Sequence, residues 1–275
     1  MTTETSGSGD INRSLELLWG TAERPSRGPK PGLTLDRVVT TAVGIADAEG
    51  LGAVSMRRIA TELGTGTMSL YRYVPGKAEL LDLMLDRVGD TCPWKPPADA
   101  EHDWRGAIEV MAHGYLALYR AHPWLHKVNQ ARTVLGPSAL DSMEAALAVL
   151  RGTRLRDPEL ISVIITVQSI ASGVARMEAE AAEAAEATGL SHEEFWERQR
   201  PFLDRAMESG RYPLMGQLGE DTFSEGFDHF AFGLRRFVDG LEVLVRQRTE
   251  EARAEEERAG RERAGEGRAG CAGPG

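Results

Sequence analysis

Five side chains within six positions, Thr67, Met68, Ser69, Tyr71 and Arg72, bring together two hydroxyls, a thioether, a phenol and a guanidinium. These are the groups that read duplex DNA. A guanidinium donates to guanine or phosphate, hydroxyls serve bases or backbone, and an apolar side chain meets the thymine methyl. Tyr73 adds a second phenol, and Arg57 and Lys77 fall near the starts of neighbouring helical patterns, where the helix dipole also attracts phosphate. No comparable set suits catalysis, because the chain has no GxSxG elbow, no phosphate-cradling glycine loop and no HExxH. His122 and His126 stand four apart, a metal-ligand spacing, but without a nearby cysteine or carboxylate cluster they read as pocket or core histidines. No catalytic residue, metal or cofactor is therefore expected.

To reach a major groove, these side chains need a short helix held by a supporting helix across a tight turn. The sequence supplies that order. Thr34 can cap a helix with Leu35, Val38, Val39, Ala42, Ile45 and Ala46 at helical spacing, stopped by Gly50. Ser55 can cap a second, with Met56, Ile59, Ala60 and Leu63, ended by Gly64. The recognition helix then runs from Thr67 to Val74, and Lys77 opens a fourth with Leu80, Leu81, Met84, Leu85 and Val88 as its apolar face. Residues 33–90 are thus expected to form the DNA-binding domain. Ahead of it, residues 1–32 read as a flexible basic extension. Its proline- and glycine-rich stretch Arg24–Leu33 excludes a helix and offers Arg27 and Lys30 to the minor groove or the backbone.

The run GLGAVSMRRIATELGTGTMSLYRYVPGKAELLDLML, preceded by VVTTAVGIADAEG, closely resembles the DNA-binding domain of the tetracycline-repressor (TetR) family. The resemblance spans about residues 33–88 and rests on Gly64, the pair Leu70 and Tyr71, the aromatic Tyr73, and Lys77 two residues past Pro75. One departure is Tyr73, where the family commonly has histidine. The resemblance implies transcriptional regulation, usually repression relieved by a small ligand. Residues from Trp104 to Val245 resemble, more weakly, the C-terminal domain of the tetracycline repressors. That likeness implies Met111 and Tyr115 on a pocket-lining helix, and Ser169 and Met177 on a central helix near pocket and dimer interface. The polar ligands for a metal-chelated drug are not matched, so a fairly apolar inducer is expected rather than tetracycline.

Beyond residue 100 nearly every segment has helical periodicity, giving an all-α chain with a ligand-binding and dimerisation domain at 100–248 and a tail at 249–275 that extends the last helix before fraying into disorder. Candidate helices begin at Trp104, Ser138, Pro158, His192 and Phe223. Trp124 and Met143 join Met111 and Tyr115 as soft or aromatic linings for an adaptable cavity, with Gln168 as a polar member. Phe227, Phe230, Leu234, Phe237 or Val238, Leu241, and Leu244 or Val245 form a heptad-like seam beside Gly226, Gly233 and Gly240. Each glycine costs about 1 kcal/mol against alanine in a helix and suggests close helix approach. The neighbouring helix could belong to the same chain, but a homodimer through helices near 158–187 and 223–248 is the preferred reading.

The chain carries a net charge of -10, yet between Thr21 and Lys77 eight basic residues face five acidic ones. This is the pattern of a cationic head on an acidic body. Two cysteines give neither a disulfide framework nor a zinc spacing, and the N-terminus has no signal-like apolar run. The apolar stretch 160–174 falls short of the roughly 20 residues of a membrane helix. A cytoplasmic protein without a membrane partner is expected. The alternative reading is a helical ligand-processing enzyme with an accessory DNA-binding head.

Overall fold

The computed structural model describes residues 4–21, 33–92, 94–95, 103–219, 222 and 227–269. Ten helices lie among them: α1 Ile11–Leu18, α2 Leu35–Glu49, α3 Met56–Glu62, α4 Thr67–Leu70, α5 Lys77–Asp90, α6 Trp104–Ala121, α7 Pro137–Leu150, α8 Asp157–Thr188, α9 His192–Glu208 and α10 His229–Ala269. Strands β1 (Glu4–Thr5) and β2 (Val128–Asn129) pair in parallel, Glu4 opposite Val128. The all-α reading stands, since this pairing is two residues long.

Local sequence sets the ends of the first helices. The Thr34 and Ser55 side chains each accept the backbone N–H three residues on, Arg37 and Arg58, satisfying donors that the first turn leaves free. Gly64 adopts φ +62°, a conformation costly for a side chain bearing Cβ, and turns the chain from α3 towards α4. Val38, Val39, Ala42, Ile45 and Ala46 of α2 meet Leu80, Leu81, Met84, Leu85 and Val88 of α5 around a buried centre. In the body, Ile108, Met111, Ala112 and Tyr115 of α6 face the buried Val163, Ile164, Val167 and Ala171 of α8. Each large apolar side chain so removed from water contributes about 1.5–3 kcal/mol.

Several expectations change. The extension at 1–32 is not featureless, because residues 4–21 form β1 and α1, with Asp10 capping α1 through Arg13 N. The last helix, expected to fray within 249–275, runs as far as Ala269, its alternating charges pairing along the helix and with the loop ahead of α8, as in Arg261–Glu257 and Arg154–Glu256. Helix α8 is 32 residues long and, by length and composition alone, could cross a membrane; the apolar run within it understated its reach. Finally, the seam on α10 closes the protomer rather than a dimer. Phe230, Leu234, Val238 and Leu241 are buried where α10 packs on α6 and α8 of the same chain.

Candidate DNA interface and ligand body

Helix α4 is short, and its placement depends on two anchors. Leu70 and Val74 are completely buried, and the amides of Tyr73 and Val74 both donate to Leu70 O, so the helical turn continues past Leu70. With those side chains fixed inward, Met68 is 77 % exposed and Tyr71 and Arg72 also face solvent, while Thr67 and Ser69 are half-buried at the helix start. The five residues singled out from sequence thus share one presented turn. Arg57 is exposed on α3, whereas its neighbour Arg58 is tied to Glu49 at 2.7 Å and Glu62 at 2.6 Å and serves to brace α3.

Two expected contacts are engaged elsewhere. The Tyr73 hydroxyl donates to Leu33 O at 3.0 Å, pinning the entry of α2, so its single proton is not aimed at phosphate. Lys77 Nζ lies 2.8 Å from Glu4 Oε1. Arg27 and Lys30 lie outside the described residues.

The head is tied to the N-terminal segment and to the body through acids that the sequence reading passed over. On α5, Glu79 accepts from Asp10 N, Asp82 from Ser6 Oγ, Gly7 N and Ser14 Oγ, and Asp86 from Ser138 Oγ and Ala139 N at the start of α7. At the end of α2, Asp47 Oδ1 accepts Trp124 Nε1 at 2.7 Å and lies 2.7 Å from His122 Nδ1. The available signal was the spacing of Glu79, Asp82 and Asp86, three then four apart, which sets a carboxylate stripe beside the apolar face of α5.

In the body, the expected ligand residues separate into three groups. Met111 and Tyr115 are buried on α6, and Met143 is half-buried against the same core. Gln168 Nε2 donates to the Tyr119 hydroxyl at 3.0 Å, and the His126 ring stacks on Tyr119 with centroids 5.2 Å apart. Trp124 is instead an anchor between domains through Asp47. Ser169 and Met177 are exposed on the outer face of α8, Met177 by 66 %, and so do not line an interior cavity of the protomer. An open cleft lined by Arg151, Gly152, Arg154 and Ala252 includes none of the expected ligand residues.

Burial governs the chemistry of the Tyr119 cluster. The Tyr115 hydroxyl is pushed up to about 12, first by desolvation and then by Cys92 and Tyr119 nearby. Burial also raises the Cys92 thiol, which keeps it protonated and unreactive. Burial followed by the Arg176 charge lowers the His126 pKa, and its Nε2 is buried without a hydrogen-bond partner. A neutral ring with an unmet nitrogen has the capacity for one further hydrogen bond. Because His126 titrates lower in the folded chain than in the unfolded one, the unfolded chain binds more protons as pH falls below about 6.5. That contribution should be lost progressively on acidification through this window. Urea midpoints at pH 7.5 and 5.5 should therefore differ less for His126→Gln than for the wild-type protein; equal differences would place the sensitivity elsewhere.

A short exposed helix, held by a supporting helix and carrying base- and phosphate-reading side chains on an all-helical body, defines a DNA-binding transcription regulator of the helix-turn-helix class. Residues 38–84 match the family described as bacterial regulatory proteins, tetR family, and residues 96–245 match the tetracyclin repressor-like C-terminal domain. The chain belongs to the TetR family. It is 62 % identical over 251 residues to the HTH-type transcriptional repressor DrrR1 of Streptomyces coeruleorubidus, covering 91 % of this chain and 92 % of that one. Among solved structures, apo ActR from Streptomyces coelicolor aligns at TM-score 0.56 with 29 % identity, over 80 % of this chain and 99 % of ActR. ActR in complex with actinorhodin aligns at TM-score 0.57 with 28 % identity, over 79 % and 99 % of the two chains.

Proposed function

We propose that the protein is a repressor that binds a palindromic operator as a homodimer and leaves it when a small, fairly apolar molecule enters the helical body. The observation that carries the DNA reading is the presentation of Met68, Tyr71 and Arg72 by a turn whose opposite side, Leu70 and Val74, is fully buried. DrrR1 is named a repressor and ActR is seen with actinorhodin, which supports repression and ligand control here. The Tyr119, Gln168 and His126 cluster, among the buried apolar residues of α6 and α8, supplies the polar groups that would orient such a ligand. Asp47 and Asp86 then carry a shift in the body to the head, since each bonds one side to the other.

The dimer face is the outer side of α8 and α10. Ile161, Ile165, Ser169 and Met177 are exposed along α8, and Phe232 and Val243 along α10. A Cβ added at Gly173, Gly233 or Gly240 would meet nothing within 4 Å, so these glycines leave room outside the protomer rather than within it. Helix α9 buries no residue of its own and exposes Phe195, Trp196, Phe202 and Leu203, apolar surface that a second copy would cover. The same stripe explains why α8 passes for a membrane span: one side packs in the core, the other awaits a helix.

The test is binding of the wild-type protein and Arg72→Ala to duplex DNA from upstream of its own gene, with random duplex as competitor. Wild-type protein should prefer the upstream DNA, and Arg72→Ala should lose about 1–3 kcal/mol of that binding if the guanidinium grips a guanine. Equal loss on both duplexes would reduce Arg72 to a phosphate contact. Equal wild-type affinity for both would sink the operator reading.

A further inference from the structure

The N-terminal segment is fastened at both ends of one short path, and its first described residue ends on a cation of the DNA interface. Ser6 N donates to Asn129 O at 3.1 Å, which continues the pairing of β1 with β2 in the body. From the same residue the segment crosses to α5. Ser6 Oγ and Ser14 Oγ donate to the two oxygens of Asp82 at 2.8 and 2.7 Å, and Gly7 N donates to Asp82 Oδ1 at 2.9 Å. Asp82 is 1 % exposed, and a buried carboxylate is tolerated only when its lone pairs are met. These donors therefore hold the segment firmly, with Asp10 N adding a bond to Glu79 at 2.9 Å. Glu4 is carried along. Its carboxylate is set 2.8 Å from Lys77 Nζ, at the first residue of α5, and both side chains remain about one-third exposed.

We infer that Glu4 is a built-in competitor for the phosphate contact of Lys77, so that the free protein holds this cation in reserve and DNA must displace the carboxylate to use it. The inference rests on the DNA-binding reading of the head. An exposed ion pair alone is weak, because solvent screens it and two long side chains must be ordered. Here the ordering is done in advance by the β1–β2 pairing and the Asp82 anchor, which keep Glu4 at a high effective concentration beside Lys77. The same exposure lets a phosphate reach Lys77 and lets Glu4 swing into water without breaking the buried bonds below it. The segment thus lowers DNA affinity generally, on any duplex, and makes binding less dependent on salt than the number of cations in the head implies.

The experiment measures affinity for a random 30-base-pair duplex over a range of salt concentrations, so that no operator need be known. Glu4→Gln should bind about two- to five-fold more tightly at low salt, with a log-log salt slope steeper by up to about one unit per head. Ser6→Ala with Ser14→Ala, which loosens the anchor without touching either charge, should give part of the same gain while circular dichroism confirms the helical fold. The gain from Glu4→Gln should vanish when Lys77 is also replaced by Met. Unchanged affinity in Glu4→Gln overturns the inference, as does a gain that persists without the Lys77 charge, which would be a general effect of net charge. A wild-type protein that binds no duplex overturns the DNA-binding reading and this inference with it, whereas the other negative outcomes overturn this inference alone.

Discussion

Leu234→Glu should yield a chain that does not fold, rather than a folded monomer. Leu234 is 2 % exposed in the run Phe230, Leu234, Val238 and Leu241, which α10 inserts against α6 and α8 of its own protomer. Substitution removes a large apolar side chain from that packing, a change that costs about 2–5 kcal/mol even when only a cavity results. It also places a carboxylate where none of the described hydrogen bonds offers a donor, adding several kcal/mol or forcing the group to take up a proton. The sum approaches the whole stability of a domain, about 5–15 kcal/mol. Circular dichroism and the soluble yield should both collapse, while Leu234→Ala should remain helical with a lowered melting temperature. A helical Leu234→Glu protein that melts near the wild type would show that this seam opens to solvent and that α10 is not core.

That result separates what the sequence made legible from what it did not. The periodicity of α10 was visible, because Phe230, Leu234, Val238 and Leu241 repeat at spacings of three and four. The side to which the stripe packs was not, because a helix seam has the same pattern whether its partner is α8 of the same chain or of another. The head was read more fully, since Thr34, Ser55, Gly64 and Gly50 act through local backbone geometry that a short stretch of sequence encodes. Which face of α4 is presented is settled in the structure by the burial of Leu70 and Val74. Tyr73 and Lys77 were expected at DNA, yet their partners here, Leu33 O and Glu4, come from segments 40 or more positions away. Long-range hydrogen bonds leave no periodic trace. The same reason hid Asp82, a charged residue whose burial makes sense only once Ser6 and Ser14 are brought beside it, and α1, whose two turns would be marginal without that docking.

The outer face of α8 offers the complementary experiment, in which the fold survives and the assembly does not. Ile165 is 57 % exposed in the protomer, so Ile165→Glu adds a solvated charge and should change protomer stability by little more than about 0.5 kcal/mol. In the proposed dimer the same position is covered by a second helix. A two-fold interface repeats every substitution, so two carboxylates would be buried without partners at once. Sedimentation should show a monomer, and circular dichroism an unchanged helical spectrum. Affinity for upstream DNA should fall by about 100-fold or more, because binding of the second head is no longer made intramolecular by the first. Val243→Glu on α10 should do the same, since its side chain is likewise exposed beside Gly240, where an added Cβ meets open space. If both variants sediment as dimers and keep wild-type DNA affinity, this face is not the interface. A monomer that retains full DNA affinity would break the link between dimerisation and the spacing of two recognition helices, and with it the palindromic operator.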